Sequence, residues 1–176
     1  MKETVRWLVL VVALLCTGAC KKGVIDYYTT GIVLENYDNC GDFIKPAGSA
    51  VNNGCYVIRV NYTSDQTSFN GVNDNDRYNP ANHPTSVLIY SLQAFNAQHP
   101  AGSSLNEYFI AGPKLHASAE DIVTGFADTE DFYPTHDPDE LWLMQPPEWN
   151  GSYSFVLRME FNDGVVVSDT TTVNLN

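Results

Sequence analysis

The chain has 176 residues, with 21 Asp+Glu against 9 Lys+Arg and a formal charge of −12. That balance excludes nucleic acid and anionic lipid surfaces as partners, because phosphate binding needs clustered Lys and Arg. Acidity also keeps an exported protein soluble, and it leaves cations, neutral glycans and basic protein surfaces as compatible partners.

The leader comes first. Lys2 and Arg6 precede an apolar run from Trp7 to Leu15. The run is far short of the ~20 apolar residues a membrane-spanning helix needs, so it reads as a cleaved signal segment. Cys16 follows Ala13-Leu14-Leu15, and a leucine beside the scissile bond is too bulky for a small-residue cleavage pocket. Cys20 follows Thr17-Gly18-Ala19, all small. This stretch resembles the lipobox of bacterial lipoproteins (Leu, a small residue, Gly or Ala, then Cys), with Thr17 where Leu is usual. The resemblance implies a signal peptide over 1–19, a lipid-bearing Cys20, a lipidated tether over 20–29 and a domain over 30–176. It also implies an outer-membrane lipoprotein of the cell envelope, facing the periplasm or the cell surface. Each buried acyl methylene contributes about 0.8 kcal/mol, so two or three palmitate-like chains anchor stably. The alternative is an ordinary secretory signal with an incidental cysteine.

Removing residues 1–19 takes away Lys2, Arg6 and Glu3 and leaves 7 basic against 20 acidic residues. Cys16 departs with the leader and Cys20 carries lipid, so Cys40 and Cys55 have only each other. In an oxidising compartment they form a disulfide. It closes a loop of ~15 residues, worth about 3 kcal/mol in the loop-entropy model. The intervening Gly41, Pro46, Gly48, Asn52, Asn53 and Gly54 read as irregular chain.

Along the domain, Gly31 to Tyr37 reads as a first strand. In Cys55 to Tyr62, the residues Tyr56, Ile58, Val60 and Tyr62 share one side, with Val57 and Arg59 opposite, which is the period of a half-buried strand. The polar stretch 63–84 reads as a long exposed loop. Ser86 to Phe95 is apolar enough for a central strand, and Glu107 to Ile110 is a shorter one. Residues 117–125 fit either a helical turn, with Ser118 at capping distance from Asp121, or an edge strand through Ile122-Val123. The acidic stretch 128–140, broken by Pro134 and Pro138, reads as loop.

Glu140 to Met144 is a strand ending at Pro146-Pro147. A long strand then carries Phe155, Leu157, Met159 and Phe161 on one face and Ser154, Arg158 and Glu160 on the other. Asn162-Asp163-Gly164 supplies the positive φ of a tight hairpin, and Val165 to Leu175 returns. The run Leu141 to Leu175 resembles the last three strands of an immunoglobulin-like or fibronectin-III-like sandwich. Gly151-Ser152-Tyr153 resembles its tyrosine corner. The resemblance implies an all-β, antiparallel sandwich of about seven strands with long loops. With the leader, the whole is similar to small immunoglobulin-like lipoproteins of Bacteroidota.

No catalytic constellation emerges. His83, His99, His116 and His136 lack the spacing of a helical zinc site, and Gly-x-Ser-x-Gly is absent. No catalytic residue and no cofactor are expected. Calcium is the one metal with candidate oxygens, Asp74 and Asp76 in one loop and Asp128, Glu130 and Asp131 in another. For ligand binding, the candidates are Trp149, Phe132, Tyr133 and Trp142, aromatic faces beside carboxylates and amides; Trp142 reads equally as core. The expected activity is non-catalytic binding of a glycan or protein through loops 63–84 and 126–139. The alternatives are an accessory subunit of an envelope assembly and a secreted hydrolase. Mass spectrometry of the mature N-terminus is expected to find an acylated Cys20, and Cys20→Ala to leave the membrane fraction; a variant that stays membrane-bound removes the anchor.

Overall fold

The computed structural model describes residues 24–66, 77–112 and 139–176. Its strands are β1 (Val24–Asp38), β2 (Lys45–Pro46), β3 (Tyr56–Gln66), β4 (Arg77–Pro80), β5 (Pro84–Ser91), β6 (Phe109–Gly112), β7 (Asp139–Leu143), β8 (Gly151–Phe161) and β9 (Val166–Leu175). One sheet has the order β2-β1-β3-β7-β6 with β4 laid on β1, and the other is β5-β8-β9. Every ladder is antiparallel except β1–β4. Without the short β2 and β4, the order β1-β3-β7-β6 over β5-β8-β9 is the four-plus-three arrangement of a constant-type immunoglobulin sandwich. The expected all-β sandwich is the observed one, with nine strands among the described residues.

Alternation builds the core. Phe155, Leu157, Met159 and Phe161 of β8 face Tyr56, Ile58 and Val60 of β3 and Leu141 and Leu143 of β7, and all are buried. Each such side chain contributes roughly 1.5–3 kcal/mol on burial. The β8–β9 turn closes through Gly164 at φ 85°, with Gly164 N donating to Phe161 O at 2.9 Å.

Three boundaries differ from the sequence reading. The segment 20–29, expected as tether, enters the sheet at Val24, and Tyr27 and Thr29 are buried. A bulge between Thr29 and Gly31 keeps β1 in register with β3; a Cβ at Gly31 would come 2.5 Å from Thr63 Oγ1. The stretch 63–84, expected as loop, holds the end of β3 and all of β4. Ser86 to Phe95, expected as a central strand, is the edge strand β5, and the chain bends away after Ser91. The segment 117–125 lies outside the described residues.

Side chains cap backbone groups on the outer sides of β1 and β5. Asn82, fully buried, accepts from Thr29 N at 2.8 Å and donates to Thr29 O at 3.1 Å, pairing with β1 as a neighbouring strand would. Its amide also reaches Asp163 Oδ2 at 3.0 Å. Asn106 does the same for β5, accepting from Ile89 N at 2.9 Å and donating to Val87 O at 2.7 Å. Asp169 accepts from Leu34 N at 2.8 Å. Unpaired edges are templates for strand addition; Asn82 and Asp169 block β1 at these positions, and Asn106 blocks β5. Asn82→Ala leaves both backbone groups of Thr29 unpaired. It is expected to cost about 1–3 kcal/mol in urea denaturation, with faster exchange of the Thr29 amide; unchanged stability and exchange would show that water replaces the plug.

Candidate functional site

Strand directions divide the molecule into two ends. Val24, the β8–β9 turn and the strand ends leading into 67–76 and 113–138 point one way. The connections 39–55, 92–108 and 144–150 and the C-terminus gather at the other, here called the far end. Four large apolar side chains are exposed there: Phe43 at 84%, Met144 at 56%, Leu92 at 53% and Trp149 at 49%.

These loops are tightly held. The Cys40–Cys55 disulfide exists as expected, with Cα atoms 5.2 Å apart. It lies within one sheet, fastening the β1–β2 hairpin loop to the start of β3, and Asn39 N donates to Cys55 O at 2.9 Å beside it. The tyrosine corner is also present, Tyr153 Oη donating to Trp149 O at 2.7 Å. Glu148 N donates to Phe95 O at 3.0 Å, and Ala97 N to Glu148 Oε2 at 2.9 Å. Asn53 joins the remaining parts: its Nδ2 lies 3.5 Å from Asn150 Oδ1 and its backbone N 3.2 Å from Asn176 O. Every connection at this end is thereby linked to a neighbour.

His99 holds a fourth junction. Its Nδ1 lies 3.0 Å from Asn96 Oδ1 and 3.2 Å from Tyr108 Oη, and its Nε2 is 3.0 Å from Glu107 Oε1. Neither serine nor cysteine is among these contacts, so the group fastens the two halves of the 92–108 connection together and offers no activated nucleophile. His83 pairs with Asn162 at 3.2 Å; His116 and His136 lie outside the described residues.

Of the four aromatic candidates, two lie among the described residues. Trp149 is at the far end, whereas Trp142 lies on the outer face of its sheet, in a cross-strand row with Tyr37, Val57 and Ile110. Trp142 is neither core nor freely exposed: it is half-buried, and its indole N–H is buried without a partner. Beside it the Arg59 guanidinium sits 3.9 Å from the centre of the Tyr37 ring and 2.8 Å from Glu140 Oε1. Phe132 and Tyr133 lie outside the described residues, as do Cys20 and the calcium candidates Asp74, Asp76, Asp128, Glu130 and Asp131. Among the described residues, one group has metal-ligand atoms within 4.8 Å of each other, Asp38 with Cys40 and Cys55. Both sulfurs are spent on the disulfide, which leaves a single carboxylate.

Sequence reading missed Phe43, Leu92 and Met144. The signal for Phe43 was its position: a large apolar residue among turn formers, inside a disulfide loop. No family of known proteins, no curated protein and no solved structure matches this chain.

One titratable group is poised by burial. Asp139, at the start of β7, accepts from Tyr62 Oη at 2.6 Å. Burial raises its carboxyl above the usual range, and the Tyr62 hydrogen bond only partly offsets this. The folded state therefore holds a proton that the unfolded chain releases, and ∂ΔG/∂pH for unfolding is negative between the two pKa values. This contribution is present at low pH and lost as pH rises through the raised value. Asp139→Asn is expected to gain in melting temperature relative to the parent as pH rises from the unfolded carboxylate range towards neutral; a difference independent of pH would contradict the assignment.

Proposed function

We propose that this protein is a non-catalytic binding module of the cell envelope, anchored by lipid on Cys20, with its binding surface at the far end. The observation that carries the reading is the concentration of Phe43, Leu92, Met144 and Trp149 in solvent on loops fixed by a disulfide, a tyrosine corner and backbone hydrogen bonds. Ordered, exposed apolar side chains grouped at one end mark interaction surfaces, and fixed loops lose little conformational entropy when a ligand docks.

The geometry suits an anchored protein. The strand begins at Val24, so only residues 21–23 separate it from Cys20. Fully extended, the four steps from Cys20 to Val24 span at most about 14 Å. The end carrying Val24 is then held at the bilayer and the far end is turned from it. The side-chain plugs on β1 and β5 disfavour edge-to-edge assembly through those two strands, because strand addition needs open backbone groups.

The test replaces Phe43, Leu92, Met144 and Trp149 with serine, singly and together, and replaces Val33 and Val166 as exposed controls on the strands. With folding verified by thermal melts, the combined far-end variant is expected to lose retention of envelope extract or arrayed glycans, and the controls to keep it. Equal retention by the combined variant and the controls rejects the far end as the binding surface.

A further inference from the structure

We infer that the ligand taken at Trp149 is a neutral carbohydrate; this rests on the far end being the binding surface. Three features of the site point to that class. The first is the exposed indole, whose backbone carbonyl is fixed by Tyr153 Oη at 2.7 Å and whose preceding residue is bonded to Phe95 O. A flat apolar face held in solvent matches the C–H face of a pyranose ring, and stacking there requires little reorganisation of the protein.

The second is the supply of uncommitted amide groups on Asn150, which follows Trp149 in sequence, and on the residues bonded to it. Asn150 uses its Oδ1 on Asn53 Nδ2, at a long 3.5 Å, and its own Nδ2 makes no protein hydrogen bond. Asn53 has its Oδ1 free, and Asn176, bonded to this corner through its backbone, has its whole side-chain amide free. An amide offers donors and an acceptor together, as a sugar hydroxyl does, so each can pair with a hydroxyl in either sense. Asn150 and Asn176 are exposed and Asn53 is half-buried; for the exposed groups, exchanging water for a sugar hydroxyl costs little.

The third is charge. Among the described residues, the far end carries Asp42, Glu107 and Glu148, and its one Lys or Arg is Lys45, 3.6 Å from Asp38. A carboxylated or sulfated sugar would meet no unpaired cation and several like charges, which cost binding energy. A neutral chain meets neither penalty. The same acidity within a chain of net charge −12 disfavours anionic polysaccharides at longer range.

The probes are soluble neutral polysaccharides (a β-glucan, an α-glucan, a mannan and a xylan) with polygalacturonate as the anionic comparison. They are run in affinity gel electrophoresis with the folded soluble domain of the mature chain, and in parallel followed by tryptophan fluorescence. At least one neutral polysaccharide is expected to retard the protein and shift its emission to the blue, and polygalacturonate to do neither. Trp149→Ala is expected to weaken retardation by about tenfold or more, equivalent to 1.4 kcal/mol, and Asn150→Ala and Asn53→Ala to weaken it less. Val33→Ser, an exposed control on β1, is expected to retain it. Absence of retardation across the neutral panel, or retardation unchanged in Trp149→Ala, overturns the inference. A protein ligand lost in Phe43→Ser, with no neutral polysaccharide bound, overturns it too while leaving the far-end surface standing; failure of both would remove the surface as well.

Discussion

The packing of Phe155 carries both the fold and the far end. Its ring lies 5.6 Å from Tyr56 and 5.6 Å from Phe109, which belong to the opposite sheet, and 5.9 Å from Tyr153 on its own strand. Phe95, from the loop after β5, approaches edge-on at 6.4 Å. Such pairs contribute about 0.5–1.5 kcal/mol each beyond area burial, and here one residue takes part in four. The two sheets and one of the far-end loops share a single aromatic centre. Tyr153 extends it outward: its ring packs on Phe155 while its hydroxyl holds the turn at Trp149.

What could be read from the sequence followed from local periodicity. The alternation of Phe155, Leu157, Met159 and Phe161 is strict, and Asp163-Gly164 permits one tight turn, so β8 and β9 were legible nearly to the residue. Tyr153 was legible because its neighbours Gly151 and Ser152 place it at the start of a strand. The edge plugs were not. Asn82 and Asn106 sit in polar, turn-rich segments and look like loop residues; their function is visible only against Thr29, 53 positions away, and Ile89, 17 positions away. The same long range hid β4, whose partner is β1. Periodicity assigns a face to a side chain but does not say which loops share an end.

The far end and the outer face of the larger sheet are built differently. Far-end connections are fastened to each other by a covalent bond, a corner hydrogen bond and backbone contacts, and little of their conformation is left to choose. The half-buried outer face of the larger sheet is organised by charge: Arg59 joins Glu140 and the Tyr37 ring, and the arginine stem covers apolar surface while its head is paired. Binding through prearranged aromatic and amide groups fits the first construction, because its cost in order has already been met during folding.

The Asp169 plug has a consequence for how the chain is made. Its partner, Leu34, precedes it by 135 residues. Domains acquire structure as the N-terminal part emerges first, and β1 and β3 are the first two long strands to appear, already joined by the local Cys40–Cys55 link. The outward edge of β1 at Leu34 stays open until the last strand has been synthesised. Until then that stretch is an open template for strand addition, and its closure waits on the final strand.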